Sequence, residues 1–186
     1  SFGSEKFVPG YVNNELVQFA DFAKTVCSMA GITPSELMQG RVFMGPDKEP
    51  EPALIHLYRD RQNGRYDFSR AVTDGRYYLI RNFMPHRPRG QKPEHGYTVQ
   101  RNWNAWSDWY DRNRETVGPL HSRFFKPKPL IELYDLESDP WQINNLAAEP
   151  AHQTRIVSMD KDLCNWMVKT RDTSLIPEPM WYDFVG

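Results

Sequence analysis

Three carboxylates spaced two residues apart, Asp135, Glu137 and Asp139 in "ELYDLESDPWQINNLA", stand where the first three ligands of an EF-hand loop would stand. Such a loop also needs glycine at its sixth position, for the sharp turn, and a bidentate Glu at its twelfth. Counted from Asp135, those positions hold Pro140 and Leu146, so an EF-hand is excluded. The residue types describe a structural turn instead. Glu137-Ser138-Asp139-Pro140 is turn chemistry, Leu133 and Leu136 can anchor a strand end, and the amides of Asn144 and Asn145 can satisfy backbone groups. The two cysteines, Cys27 and Cys164, have neither metal nor redox spacing and are expected to be buried, inert thiols. His56, inside a strand-like run, is expected at a core or interface; His86 and His95 lie in a Pro-rich connection expected to be a surface loop and long enough for a lid or a subgroup insertion.

These residues need elements to position them. Phe19, Phe22, Ala23, Val26, Cys27 and Ala30 recur at helical spacing, so residues 18–30 are expected to form an amphipathic helix capped by Gly31. Too little chain precedes it to build a layer, so its apolar face is expected to pack on a sheet supplied from elsewhere. "ALIHLY" (53–58) and "LIELYDL" (130–136) read as strands. Between them, Asp74-Gly75 suits a type I′ turn, which makes 68–83 a tight hairpin. Trp103, Trp106 and Tyr110 fall on one helical stripe, expected to be a packing face, and Ile156, Met159, Leu163, Trp166 and Met167 form the buried stripe of a last helix over 151–169.

An apolar share of 39% with 25% charged residues fits a globular protein of 186 residues. No apolar run reaches the roughly 20 residues that a membrane span requires, and the first ten residues do not have the pattern of a signal peptide. The net charge of −1 is unevenly spread: residues 56–92 carry a net +6 and residues 132–186 a net −6. The basic middle can face an anionic ligand or the acidic end of its own chain. The overall charge lacks the basic excess of nucleic-acid-binding domains, so no nucleic-acid partner is expected.

The combination of strand, Asp-Pro turn, Asn-Leu-Ala step and helix resembles the C-terminal signature of the sulfatases of the alkaline phosphatase superfamily. The matching residues are Glu132-Leu133-Tyr134-Asp135-Leu136, Asp139-Pro140 and Asn145-Leu146-Ala147. "NNELVQFADFAKTVCSMAGI" is similar to the segment that ends the family's catalytic α/β domain, with Lys24 where proline is usual. "MQGRVF" resembles the Gly-Arg step that follows, and "SRAVTDGRYYLIRNF" the next hairpin. "WMVKTRDTSLIPEP" is similar to the ending of a bacterial subgroup related to heparan N-sulfatases. These ordered matches cover nearly the whole chain.

The resemblance implies an α+β fold, a small four-stranded antiparallel sheet packed with a long C-terminal helix, preceded by a remnant of the α/β catalytic domain. Residues 1–40 would end that domain and residues 41–186 would form the C-terminal subdomain. It also implies hydrolysis of sulfate esters or N-sulfates of a sugar or glycosaminoglycan, with calcium and a formylglycine made from Cys or Ser in Cys/Ser-x-Pro-x-Arg. Neither Cys27 in "CSMAG" nor Cys164 in "CNWMV" matches that motif. No catalytic or metal-binding residue is therefore assigned. Nucleophile and metal ligands are expected in a missing N-terminal catalytic portion, the fragment alone is expected to be inactive, and the compartment is expected to be periplasmic or extracellular. By the same analogy, "HLYRDRQNGRYD" (56–67) would be a substrate-selecting loop: Arg59, Arg61 and Arg65 suit carboxylate or sulfate groups, and Asp60 sugar hydroxyls. Exposed Arg-Asp pairs without a ligand would explain the same residues. A phosphodiesterase or phosphonate hydrolase of the same superfamily, and a non-catalytic module binding acidic glycans, are the alternatives.

Overall fold

The computed structural model of the chain describes Gly10 and residues 12–62, 65–91, 101–174 and 176. They form two compact units, Ser1–Ile55 and His56–Gly186.

In the first unit, helix α1 spans Phe19–Met29. The Asp21 carboxylate closes its first turn by accepting from the Gln18 amide at 2.8 Å, and it also accepts from the Arg41 amide at 2.9 Å. Thr25 Oγ1 donates to the Asp21 carbonyl at 2.7 Å and accepts from the Phe43 amide at 3.1 Å, while Ser28 donates to Asp47 at 2.7 Å. The buried side of α1 is thus its polar side, Asp21, Thr25 and Ser28. The apolar stripe lies open, with Phe19, Phe22 and Val26 exposed by 93%, 50% and 62%. Cys27, expected to be buried, is only half-buried. The Gly-Arg step has a physical basis. Gly40 adopts φ +89°, and a Cβ there would lie 2.6 Å from the Ala20 backbone; another residue type would cost about 1–3 kcal/mol in backbone strain alone. Arg41 donates to Glu15 at 3.0 Å and to the carbonyls of Leu16 and Glu49 at 3.1 and 3.2 Å.

In the second unit, strands β1 (Ile55–Gln62), β2 (Arg65–Thr73), β3 (Tyr77–Asn82) and β4 (Ile131–Asp135) form one antiparallel sheet in the order β1-β2-β3-β4. Val72, Leu79 and Leu133 lie in one cross-strand row, and none is exposed. The β2–β3 connection differs from the type I′ turn that the sequence suggests. Among the described residues between these strands only Gly75 has positive φ, 92°. Side chains close the link instead: Asp74 accepts from the amides of Arg76 and Tyr77 at 3.0 and 2.6 Å, and Thr73 from that of Gly75 at 3.0 Å.

Between β3 and β4, helix α2 (Arg101–Asn113) and the short α3 (Pro119–Ser122) lead into a 3₁₀ turn at Arg123–Phe125. The aromatic stripe is a packing face: Tyr110 stacks on Phe125 at 4.1 Å, and Trp106 lies 4.6 Å from Phe124. Part of the Pro-rich connection is fixed. The Gly90 amide donates to the Phe124 carbonyl and that of Lys128 to the Pro85 carbonyl, both at 2.8 Å. His95 and the rest of that stretch, 92–100, fall outside the described residues.

The last helix, α4, spans Gln153–Lys169 after a 3₁₀ turn at Pro150–His152, and it buries Ile156, Met159, Leu163 and Met167. It lies on the face of the sheet that carries Val72 and Leu79. There Arg81 pairs with Asp160 at 2.9 Å, and His56 stacks on Trp166 at 5.0 Å while bonding Asp162 at 2.7 Å. The acidic turn joins β4 to this helix. Asn145 accepts from the amides of Leu133 and Ala147 and donates to the Ile131 carbonyl; Asp139 accepts from the Asn144 amide at 2.7 Å; Asp135 pairs with Arg76 at 2.9 Å.

These contacts set an acid limit. Arg76 holds the Asp135 carboxyl below its ordinary range, and the backbone amides of Asn144 and Ile143 do the same for Asp139. At Asp172 burial pulls upward, but the hydrogen bond and charge of Arg70 and the hydrogen bonds from Ser174 together outweigh it, and the result is again low. A carboxylate with a depressed folded-state pKa contributes stability that is complete above the unfolded value and lost as pH falls through the folded one. The unfolded value is 3.8 for each. The melting temperature, followed by circular dichroism, is expected to decline as pH falls below about 4.5, and Asp172→Asn should flatten that decline.

Candidate functional site

The side of the sheet opposite α4 carries polar chemistry. Strand alternation places Asp67, Ser69 and Ala71 of β2 on this side, beside Tyr78, Ile80 and Asn82 of β3 and Glu132 and Tyr134 of β4. Asp67 is fully buried, and Glu132, Asn82 and Tyr134 are nearly so. A carboxylate in such a place needs partners, since removing charge from water without compensation costs several kcal/mol. Asp67 pairs with Lys128, itself buried, and lies 3.3 Å from Arg59 Nε. Glu132 accepts from Arg89 and from the Tyr134 hydroxyl, and from Asn82 Nδ2 at 2.7 Å. Asn82 also donates to the Pro129 carbonyl at 2.7 Å and accepts from Ser69 at 3.0 Å.

Burial and the acceptor Glu132 push the Tyr134 hydroxyl far above the ordinary tyrosine range. Burial, opposed by Asp67, lowers the Lys128 ammonium, and the charges of Arg59 and Arg89 add to the lowering. Arg59, Asp67, Arg89, Lys128 and Glu132 border a pocket of about 240 Å³, which Leu57, Ala71 and Ile80 also line.

The four residues expected to bind substrate are not a loop. Residues 56–67 belong to β1 and β2, with only 63 and 64 between them. Alternation places Arg59, Arg61 and Arg65 on the pocket side and Asp60 on the other. Arg59 lines the pocket; Arg61 and Arg65 are exposed and do not. Asp60 pairs with the buried Arg70 at 2.8 Å, and Arg70 also holds Asp172 at 2.6 Å. Asp67, Arg89, Lys128 and Glu132 join Arg59 in the site without having been singled out from the sequence. Only the alternation of Asp67 and Glu132 with apolar neighbours hints at them.

No family model matches the chain. It is 34% identical over 170 residues to an ulvan-active sulfatase of Formosa agariphila, covering 88% of this chain and 27% of that protein. A second ulvan-active sulfatase of the same organism is 28% identical over 169 residues, covering 86% and 30%. A solved structure described as a 2-O GAG sulfatase has 15% identity and a TM-score of 0.47, over 83% of this chain and 25% of that one. The α+β layer with its Asp-Pro turn is of the kind the sulfatase resemblance implies. The chain corresponds to a C-terminal portion of a sulfatase. It spans 27% and 30% of the length of the two curated relatives it matches.

Proposed function

We propose that this chain forms the C-terminal layer of an enzyme that hydrolyses sulfate esters or N-sulfates on a sulfated polysaccharide of the ulvan or glycosaminoglycan kind. The observation that carries this is the 34% identity with an ulvan-active sulfatase over 170 residues. Residues 1–40 continue the catalytic α/β domain, and the exposed stripe Phe19, Phe22 and Val26 supports this, because apolar area of that extent on one helix face calls for a partner layer.

Calcium and formylglycine, which the resemblance implies, do not fit the residues present. Neither cysteine lies in Cys/Ser-x-Pro-x-Arg, Asp135 and Asp139 are engaged by Arg76 and backbone amides, and no cluster of three His, Cys, Asp or Glu that could hold a metal exists among the described residues. Nucleophile and metal ligands belong to the catalytic portion outside these residues. The enzyme works in the periplasm or outside the cell; no helix among the described residues is long and apolar enough to cross a membrane.

Incubation of the 186-residue chain with a chromogenic sulfate ester and calcium should give no turnover, whereas a protein joining it to its catalytic portion should release sulfate from ulvan or a sulfated glycosaminoglycan. Turnover by the chain alone would refute the placement of the nucleophile. Failure of the joined protein to release sulfate from either polymer would refute the substrate class.

A further inference from the structure

Arg70 ties together stretches of chain that are far apart in sequence. Its Nε and Nη2 grip the two oxygens of Asp172, 102 residues further on, at 2.6 and 2.9 Å. The same Nη2 pairs with Asp60 at 2.8 Å, and Nη1 donates to the carbonyls of Ser69 and Arg59 at 2.8 and 3.4 Å. Asp172 stands just beyond α4, Asp60 and the Arg59 carbonyl belong to β1, and Arg70 itself to β2. The guanidinium is buried, as is Asp172, and it lies 4.4 Å from the centre of the Phe68 ring, so it is held on its face as well as at its edge.

The strand so held has few other fastenings. β1 is at an end of the sheet, so among the described residues its ladder runs along β2 alone. The far edge of the sheet is closed differently: Asn145 accepts from the Leu133 amide and donates to the Ile131 carbonyl, as a neighbouring strand would. Burial does little for the middle of β1, where Leu57 and Tyr58 are 38% and 72% exposed. On the α4 side it is clasped near its start by His56 with Asp162 and Trp166, and near its end by Asp60 with Arg70. β1 is also the strand by which the chain passes from the first unit to the second.

The stretch beyond α4 is shaped for this grip. Arg171 adopts φ +53°, where residues other than glycine are rare, and the amides of Arg171 and Asp172 turn back to the carbonyls of Val168 and Met167 at 3.1 and 2.9 Å. That turn ends the helix with Asp172 at Arg70. A second hold comes from β2, where the Tyr66 hydroxyl donates to the Ser174 carbonyl at 2.5 Å.

We infer that Asp172 and Arg70 form a latch, through which the segment leaving α4 fixes the edge strand β1 and, with it, the Arg59 wall of the pocket. Without the Asp172 carboxylate, two donors of a buried guanidinium lose their acceptors, an arrangement that folded proteins avoid. The guanidinium then turns towards water and gives up Asp60 and the Arg59 carbonyl. β1 opens locally while β2, β3 and β4 stay paired. The latch needs neither substrate nor catalytic portion, so it stands apart from the sulfatase proposal.

Amide hydrogen exchange of the 186-residue chain, read by mass spectrometry in peptides from β1, β3 and β4, tests the latch. Asp172→Ala should speed exchange over residues 57–62 by about ten-fold or more and leave β3 and β4 within about three-fold of wild type. Asp160→Ala is the control. It removes the same charge from α4, but its partner Arg81 lies on β3, so β1 should stay within about three-fold of wild type. If Asp172→Ala fails to fold, Asp172→Asn, which keeps the shape and one acceptor oxygen, should speed β1 selectively by at least about three-fold.

Unchanged β1 exchange in the Asp172 variants, equal acceleration in β1, β3 and β4, or equal acceleration of β1 by Asp160→Ala would each overturn the latch. So would wild-type β1 amides that exchange as fast as those of an unstructured chain, since nothing would then be latched.

Discussion

Lys128→Met is expected to destabilise the chain by about 3–5 kcal/mol, the typical cost of removing one partner of a buried ion pair. The loss comes less from the missing attraction than from what stays behind. Asp67 is fully buried, and without Lys128 its nearest cation is Arg59, whose Nε stands 3.3 Å away and whose side chain is 36% exposed. The double variant Asp67→Asn/Lys128→Met should recover much of the loss, because a neutral amide beside an apolar chain leaves no buried charge unpaired. Urea unfolding of wild type, both single variants and the double variant, at neutral pH, measures the coupling directly. If Lys128→Met costs less than about 1 kcal/mol, or the double variant is no better than the single, the pair is not the pivot of this side of the sheet.

Leu163→Ala is expected to cost a similar amount, about 3–5 kcal/mol, through a different cause. Leu163 is 0% exposed in the buried stripe of α4, as are Val72, Leu79 and Leu133 in the cross-strand row of the sheet. Truncation removes buried methyl groups and leaves a cavity that a helix held by Arg81–Asp160 and His56–Asp162 cannot readily close. Val157→Ala, on the exposed side of the same helix at 66% exposure, serves as the control and should change stability by less than about 0.5 kcal/mol. Equal losses at the two positions would mean that α4 does not pack on the sheet through its predicted stripe.

The contrast between these two residues explains how much could be read in advance. Leu163 was legible because its role follows from spacing: Ile156, Met159, Leu163 and Met167 repeat every three or four residues, and a helix must bury such a stripe. The acidic turn was legible for a similar reason, since failed EF-hand positions and turn residues are local properties; the structure adds that Asn145 is the residue pinning β4 to the following turn. Lys128 was not legible. It sits in "KPKPL", where nothing marks it, and its partner Asp67 is 61 residues away in sequence.

The substrate-facing arginines fall between these cases. Arg59, Arg61 and Arg65 stood out by type, but a run of Arg, Asp and Gln carries no apolar alternation, so residues 56–67, which hold most of β1 and the start of β2, looked like a loop. Once the two strands pair, alternation sends Asp60 to Arg70 and leaves Arg59 at the pocket. Helix α1 is a different case. Its apolar spacing marks the helix, while the side it buries within its own unit is Asp21, Thr25 and Ser28, because the loop beyond Gly40 offers the Arg41 and Phe43 amides and the Asp47 carboxylate.

The sequence by itself thus determined the three longer helices, most strands and the turn that ends the sheet, each of which depends on residues within a few positions of one another, and the sulfatase resemblance, which adds up such local motifs in order along the chain. Only the tertiary structure decided which charges are buried together: Asp67 with Lys128, Glu132 with Arg89, and Arg70 with Asp60 and Asp172. The physical reason is that burial of a charge is tolerable only when a partner arrives at the same place, and that partner is brought by strand register and crossover, not by proximity along the chain.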